Sequence, residues 1–144
     1  MPIYIQNRQR GVTIQTRTVK KRLQRMMVHL GCAEKELSIV FGSDRMLQTL
    51  NRSYRQKDRP TNVLAFPQAP AGAGESESSL LGDVIVSLAV AKQEAADLQQ
   101  ALEERVVYLL LHGLLHLLGY DHEAPLPRRR MEALEKKILE QCPA

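Results

Sequence analysis

One apolar segment, residues 102–118, constrains the fold of this chain more than any other part of the sequence. From Val106 onward it is apolar on nearly every helical face, yet it contains His112 and His116. A helix that is apolar all round is buried within its fold. Gly119 follows directly and accepts the positive φ at which helices commonly end. The sequence therefore predicts a buried helix that carries two of the four histidines.

Three histidines follow the spacing of a metal site. His112 and His116 are four residues apart, so both imidazoles lie on nearly the same helical face. A sharp turn at Gly119 can bring His122 back towards them. Three neutral imidazoles that leave a fourth position open form the catalytic type of zinc site. We therefore expect one Zn2+ ion per chain; packing histidines, or a structural zinc closed by Asp121 or a cysteine, are the alternatives.

The spacing H-x3-H-x2-G-x2-H resembles the metzincin peptidase template, with one difference. In that template a glutamate after the first histidine is the general base, whereas this sequence has Gly113. A zinc peptidase is therefore disfavoured, and the glycine is expected to leave room for a phosphate and a ribose beside the metal. Asp121 is a candidate for orienting a ligating imidazole through a hydrogen bond, although its residue type also suits a turn.

A second dense segment, residues 50–67 (LNRSYRQKDRPTNVLAFP), places four basic side chains where a helix passes into a strand. Guanidinium groups bind phosphate oxygens through two parallel hydrogen bonds, which an ammonium group cannot do. Arg55, Lys57 and Arg59 are therefore candidates for substrate binding. A solvated basic loop is the alternative interpretation.

Hydrophobic periodicity predicts four strands and five helices. The strands are expected at residues 3–5, 37–41, 62–66 and 83–86, and the helices at residues 13–30, 43–54, 87–98, 102–118 and 127–140. Residues 68–79 are rich in Gly, Pro, Ser and Ala, which predicts a flexible surface loop. Because the strand after this loop needs the same sheet as the strand before it, residues 1–144 are predicted to form a single domain.

Charge is distributed unevenly along the chain. Residues 1–59 hold 13 Lys and Arg against 4 Asp and Glu, whereas residues 60–144 hold 7 against 12. A basic half favours a polyanionic partner. The start of the sequence lacks the apolar core of a signal peptide, and no apolar segment is long enough to span a membrane. Two cysteines without a pairing pattern fit reduced thiols, so the cytoplasm is the expected compartment.

Together these segments resemble the YbeY family of bacterial rRNA-maturation endoribonucleases. The likeness covers roughly residues 35–142 and rests on the segments 50–67, 80–87 (LLGDVIVS) and 112–122 (HGLLHLLGYDH). Ala65 is a mild departure, because a serine is common at that position. The resemblance implies an α+β fold of zinc-hydrolase type, with a small mixed β-sheet of about four strands packed against about five helices.

The resemblance also implies site residues and partners. His112, His116 and His122 fall on the zinc ligands, and Arg55 falls on an arginine regarded as important for activity. The implied activity is cleavage of single-stranded RNA in 16S rRNA 3′-end maturation and ribosome quality control. The implied partners are the small ribosomal subunit and ribosomal or assembly proteins.

The expected catalytic device is a zinc-bound water or a zinc-polarised phosphate. Since Gly113 leaves no carboxylate base beside the metal, either zinc-bound hydroxide or the RNA 2′-OH is expected to attack. His112 and Arg55 are the candidate catalytic residues, the arginine by offsetting charge that grows on the non-bridging oxygens. A non-catalytic ribosome-assembly factor with a structural zinc is the competing interpretation.

Overall fold

The computed structural model describes residues 3–55, 61–68, 80–120 and 125–143, with the backbone alone at Tyr54, Arg55 and Pro125. Nine elements of secondary structure lie within these ranges. In chain order they are β1 (Ile3–Asn7), α1 (Thr16–His29), β2 (Glu36–Gly42), α2 (Asp44–Arg55), β3 (Val63–Pro67), β4 (Leu80–Ser87), α3 (Leu88–Asp97), α4 (Leu102–Leu117) and α5 (Pro125–Gln141). Each predicted strand and helix is present, with ends that differ from the prediction by three residues or fewer.

The four strands form one mixed sheet in the order β1-β2-β4-β3. β1 pairs with β2, and β2 with β4, in parallel, whereas β3 runs antiparallel to β4. Val84 marks the middle of the sheet, since it lies opposite Ile39 of β2 and Ala65 of β3. This architecture confirms the predicted α+β fold. The single domain and the surface loop at residues 68–79 stay predictions, and only Gln68 of that loop lies within the described residues.

Helix α4 lies at the centre of the fold, as its composition predicts. It packs against β3 and β4 and also against α1, α3 and α5. Val106, Leu110 and Leu114 are fully buried and share one core cluster with Leu23 of α1 and Met131 of α5. Burying one large aliphatic side chain stabilises a fold by about 1.5–3 kcal/mol, so this helix is a main contributor to the core.

Gly113 sets the distance between α4 and the sheet. A Cβ atom added at this glycine would lie 2.6 Å from Cγ1 and 3.1 Å from Cγ2 of Val84. Non-bonded carbon atoms do not approach that closely without strain, so only glycine lets α4 lie against β4 at this distance. Because Val84 fills the space beside Gly113, the prediction that the glycine leaves room for a phosphate and a ribose is wrong.

Arginines of α1 tie this helix to the ends of α4 and α5. The buried Arg22 donates from Nη1 to Glu104 at 2.7 Å and from Nε to the carbonyl of Cys142 at 2.6 Å. Arg25 donates to the carbonyl of Pro143. Cys142 is a buried free thiol. Within the described ranges, none of the helices combines the length and the apolar composition that spanning a bilayer requires.

Candidate metal centre

His112 and His116 lie one turn apart near the carboxyl end of α4 and turn their imidazoles towards each other. Their Nε2 atoms are 3.2 Å apart. The ring centroids are 4.8 Å apart, and the ring planes are inclined by 76°. Both residues are half-buried. The predicted pair therefore converges through one nitrogen of each ring.

The separation of the two Nε2 atoms fits a shared metal ion. Two nitrogens that each lie about 2.0–2.1 Å from a tetrahedral zinc are about 3.3 Å from each other. Without a shared cation, two imidazole nitrogens at such a distance need a proton donated from one ring to the other. Among the residues that the structure describes, no three His, Cys, Asp or Glu side chains are arranged so that together they could hold a metal ion. The pair thus accounts for two coordination positions, and a complete site needs further donors.

The turn that follows α4 forms as predicted. Gly119 has a φ of 101°, and its N–H donates to the carbonyl of His116 at 3.0 Å. The N–H of Tyr120 donates to the carbonyl of Leu115 at 3.0 Å, which completes the paired hydrogen bonds of a Schellman motif. The chain therefore changes direction just before His122, which itself lies outside the described residues.

The other ring nitrogen of His112 contacts a carboxylate from α5. Glu135 Oε2 lies 2.8 Å from His112 Nδ1, and the glutamate is only 4% exposed. The sequence pattern did not single out this residue; Asp121, expected to orient an imidazole, lies outside the described residues. One signal was available, since Glu135 stands on the same helical stripe as the buried Met131 and Ile138. A glutamate on an otherwise apolar, buried stripe is expected to have a hydrogen-bonding partner in the core.

A polar network extends from the histidine pair towards the amino end of α4. The Tyr108 and His112 ring centroids are 6.3 Å apart, and the guanidinium carbon of Arg105 lies 4.7 Å from the Tyr108 ring centroid. Burial raises the pKa of the Tyr108 phenol. Arg105 Nε donates to Glu94 Oε1 at 2.9 Å, and Asn62 Nδ2 donates to Glu94 Oε2 at 3.1 Å. The network therefore connects the residue before β3 with the helix that carries the histidines.

The basic segment begins where α2 ends. Arg55 is the last residue of α2, and β3 starts at Val63. Leu47 of α2 is fully buried in a small cluster against β3 and β4, so the helix that ends at Arg55 is anchored to the sheet. The side chain of Arg55 lies outside the described part of the chain, as do Lys57 and Arg59. Their predicted roles in substrate binding stay predictions.

The fold and the histidine pair define a class: small α+β proteins whose central helix presents paired imidazoles suited to a metal ion. The sequence profile described as Endoribonuclease YbeY matches residues 4–143. The chain is 42% identical over 141 residues to the Endoribonuclease YbeY of Geobacter metallireducens, covering 96% of this chain and 94% of that protein. It is 41% identical over 139 residues to the Endoribonuclease YbeY of Syntrophotalea carbinolica, covering 95% and 93%.

The chain therefore belongs to the YbeY family of endoribonucleases. A solved structure shares the fold, namely the solution structure of TM1509 from Thermotoga maritima. It is 22% identical, with a TM-score of 0.60 and coverage of 96% of this chain and 90% of that one. The family resemblance and the predicted nuclease are thereby confirmed.

Proposed function

We propose that this chain is a cytoplasmic, zinc-dependent endoribonuclease that cleaves single-stranded RNA in 16S rRNA 3′-end maturation and ribosome quality control. Membership of an endoribonuclease family supports RNA cleavage. The observation that carries the proposed zinc dependence is the 3.2 Å separation of the Nε2 atoms of His112 and His116. Burying two imidazoles side by side costs free energy unless their nitrogens have partners, and a shared metal ion would offset that cost.

In this proposal His112, His116 and His122 hold one Zn2+ ion. Zinc bound by neutral imidazoles supplies a Lewis acid that polarises a phosphoryl oxygen or activates a water. The turn at Gly119, which redirects the chain at the end of α4, supports the inclusion of His122. A fourth coordination position is left for solvent or substrate.

The packing of α4 argues against a zinc peptidase. A glutamate at position 113, where the peptidase template has its base, would be driven against Val84, because even its Cβ would lie 2.6 Å from Cγ1. Acquiring that base would require α4 to move away from the sheet. The nucleophile, either water or the RNA 2′-OH, is therefore activated without a glutamate next to His112.

The two nucleophiles leave different products. Attack by the 2′-OH forms a bond to the adjacent phosphorus, expels the 5′-oxygen of the next nucleotide and leaves a 2′,3′-cyclic phosphate. Attack by water breaks a phosphorus–oxygen bond of the same phosphodiester and leaves a phosphate monoester with no cyclic product. Mass spectrometry of the products from a short RNA oligomer distinguishes them.

Arg55, Lys57 and Arg59 are proposed to bind substrate phosphates. The guanidinium of Arg55 would offset charge growing on the non-bridging oxygens, a contribution on the order of a few kcal/mol where water is excluded. The anchoring of both ends of the basic segment supports this role. Leu47 holds α2 against the sheet, and the Asn62 amide donates a hydrogen bond to Glu94. The segment is thereby attached to the same scaffold as the histidines.

The basic face of α1 supports RNA as the partner. α1 contains five Lys and Arg and no acidic residue. Arg17, Lys21 and Arg25 are exposed at four-residue intervals and line a cleft of about 590 Å³. A row of cations on one helical face attracts phosphates and makes binding sensitive to salt.

RNA cleavage by identically purified variants tests the proposal. The wild type should cleave a labelled single-stranded oligomer and leave a duplex intact. The double variant His112→Ala, His116→Ala should lose both zinc and cleavage, whereas Arg55→Glu should lose cleavage and keep zinc. Full zinc content and activity in the double histidine variant would rule the proposal out.

The competing interpretations predict other outcomes. An assembly factor with a structural zinc would show the same residual cleavage in the wild type and in Arg55→Glu. A zinc peptidase would release fluorescence from labelled casein. The rRNA role predicts that cells depleted of the protein accumulate 16S rRNA with unprocessed 3′ ends, restored by the wild type and not by Arg55→Glu. Unchanged 3′ ends on depletion would contradict that role, and sedimentation with the small subunit tests the proposed partner.

A further inference from the structure

We infer that Glu135 is a positioning residue that holds His112 in the orientation and tautomer needed to bind metal; this rests on the proposed zinc site. The glutamate is 4% exposed, and within the described residues its one hydrogen-bond partner is His112 Nδ1 at 2.8 Å. A buried carboxylate is costly unless it is paired. Placing an acid at this core position therefore has a cost that the contact with His112 offsets.

The contact selects one tautomer of His112. A carboxylate accepts hydrogen bonds and donates none, so the proton of the neutral ring sits on Nδ1 and points at Glu135 Oε2. The lone pair is then on Nε2, the nitrogen that lies 3.2 Å from His116 Nε2. A metal ligand needs a lone pair on its coordinating atom. The hydrogen bond to Glu135 therefore leaves Nε2 of His112 ready to bind an ion in the metal-free protein.

Glu135 acts through His112 and is not itself a ligand of the same ion. Its carboxylate lies beside Nδ1, whereas a shared ion would lie beside Nε2, on the other side of the ring. Zinc–oxygen distances are about 2.0–2.2 Å, which is too short to reach around an imidazole. This placement also removes Glu135 as the fourth ligand of a closed structural site.

Packing of α5 holds the carboxylate in place. Met131 and Ile138, one turn before and one turn after Glu135, are buried in the core cluster. These apolar side chains carry the carboxylate into the contact between α5 and α4. A partner fixed in this way limits rotation of the His112 ring, so less freedom is lost when a metal binds.

Zinc affinity, measured by competition with a chelator, tests the inference. Glu135→Ala should bind zinc about 10- to 100-fold more weakly than the wild type. Glu135→Gln, which keeps an accepting oxygen and loses the charge, should fall between the two. Glu132→Gln is the matched control, since Glu132 is an exposed acid on the same helix, and it should bind like the wild type. Thermal melting of each metal-free variant checks that the fold is retained.

The tautomer is measured independently by nitrogen-15 NMR of the imidazole rings in the metal-free wild type. The expected result is a proton on Nδ1 of His112, with that preference lost in Glu135→Ala. Zinc affinity of Glu135→Ala within about twofold of the wild type, or a proton on Nε2 of His112 in the metal-free wild type, overturns the inference.

The two proposals fail in different ways. A wild-type chain that takes up no zinc refutes the proposed metal dependence and, with it, a role for Glu135 in metal binding. In a chain that does bind zinc, a proton on Nε2 of His112 overturns the inference about Glu135 alone. If Glu135→Ala does not fold, the nearly isosteric Glu135→Gln takes its place in both measurements.

Discussion

Two of the side-chain contacts that join α4 to neighbouring helices differ in which partner they bury. Towards its amino end, Glu104 pairs with Arg22 of α1 at 2.7 Å; the arginine side chain is 7% exposed and the glutamate 41%. Towards its carboxyl end, His112 pairs with Glu135 at 2.8 Å; here the carboxylate is 5% exposed and the imidazole 22%. In the first contact the cation lies in the core, and in the second the acid does.

The difference separates a contact that can serve only the fold from one that suits the proposed metal site. The guanidinium of Arg22 has no lone pair, stays charged, and also donates to the carbonyl of Cys142, so it can only hold helices together. The imidazole of His112 uses one nitrogen for Glu135 and presents the other to His116. Only the second contact leaves an atom directed at a possible ligand.

The largest expected effect comes from removing His116, the second histidine of the proposed zinc site. His116→Ala should weaken zinc binding by more than about 100-fold, beyond the loss typical of an outer partner, and should abolish RNA cleavage. Stability of the metal-free protein should change little, because His116 is half-buried and the contact of His112 with Glu135 is kept. Zinc content after dialysis and a urea titration measure the two effects. If His116→Ala retained zinc, the histidines at the carboxyl end of α4 would serve the fold alone, as the contact of Arg22 with Glu104 does.

Arg22→Met should produce the opposite pattern. We expect a loss of about 1–3 kcal/mol in the free energy of unfolding, mainly because the carbonyl of Cys142 loses its donor. The partly exposed Glu104 can be hydrated instead. Zinc affinity should stay within about twofold of the wild type, since the contact lies about two turns of α4 from His112. Lys21→Met is the control at a neighbouring exposed position. A large loss of zinc affinity in Arg22→Met would erase the distinction between the two contacts.

Gly113→Ala probes the point, directly after His112, where α4 touches the sheet. The clash with Val84 should cost about 1–3 kcal/mol, offset in part by the gain of up to about 1 kcal/mol in helix propensity. Urea denaturation measures the net loss. Val84→Ala in the same chain makes space, so the double variant should be more stable than the sum of the single losses implies. Simple additivity would mean that Gly113 is not constrained by Val84.

The smallest effect is expected on the basic face of α1, next to the structural contact. Arg17→Gln with Lys21→Gln should weaken binding of single-stranded RNA several-fold and reduce the salt slope by about 1.4 if both residues contact phosphates. Lys136→Gln with Lys137→Gln, an exposed pair on α5, is the matched control. Fluorescence anisotropy at several salt concentrations measures the slope. Equal slopes in the two variants would assign no RNA contact to α1.

Features that depend on short spacings could be predicted from the sequence. The helical period places His112 and His116 on one face, and the apolar surroundings of the pair place their helix in the core. The positive φ at Gly119 follows from its position after the last apolar turn. Each of these predictions needs only residues within a few positions of one another, which is why propensity and periodicity suffice.

Contacts between helices could not be predicted in the same way. Glu135 is 23 positions from His112, and Arg22 is 82 positions from Glu104. Many acidic residues of the chain are candidates for such contacts, and no local pattern selects among them. Gly113 was misinterpreted for the same reason, because the sequence does not say which side of α4 faces the sheet. The parts played by Arg55, Lys57, Arg59, Asp121 and His122 stay predictions.

The amino-acid sequence alone was enough to predict the helix and the pair of histidines on it, and to place the chain in an endoribonuclease family. Which nitrogen of His112 faces His116 depends instead on the packing of α5 against α4. That choice depends on a carboxylate that the buried side chains of α5 carry against the ring. The physical reason is that hydrophobic burial is non-directional and acts between distant parts of the chain. The chemistry of the imidazole is therefore set by packing that lies outside its own helix.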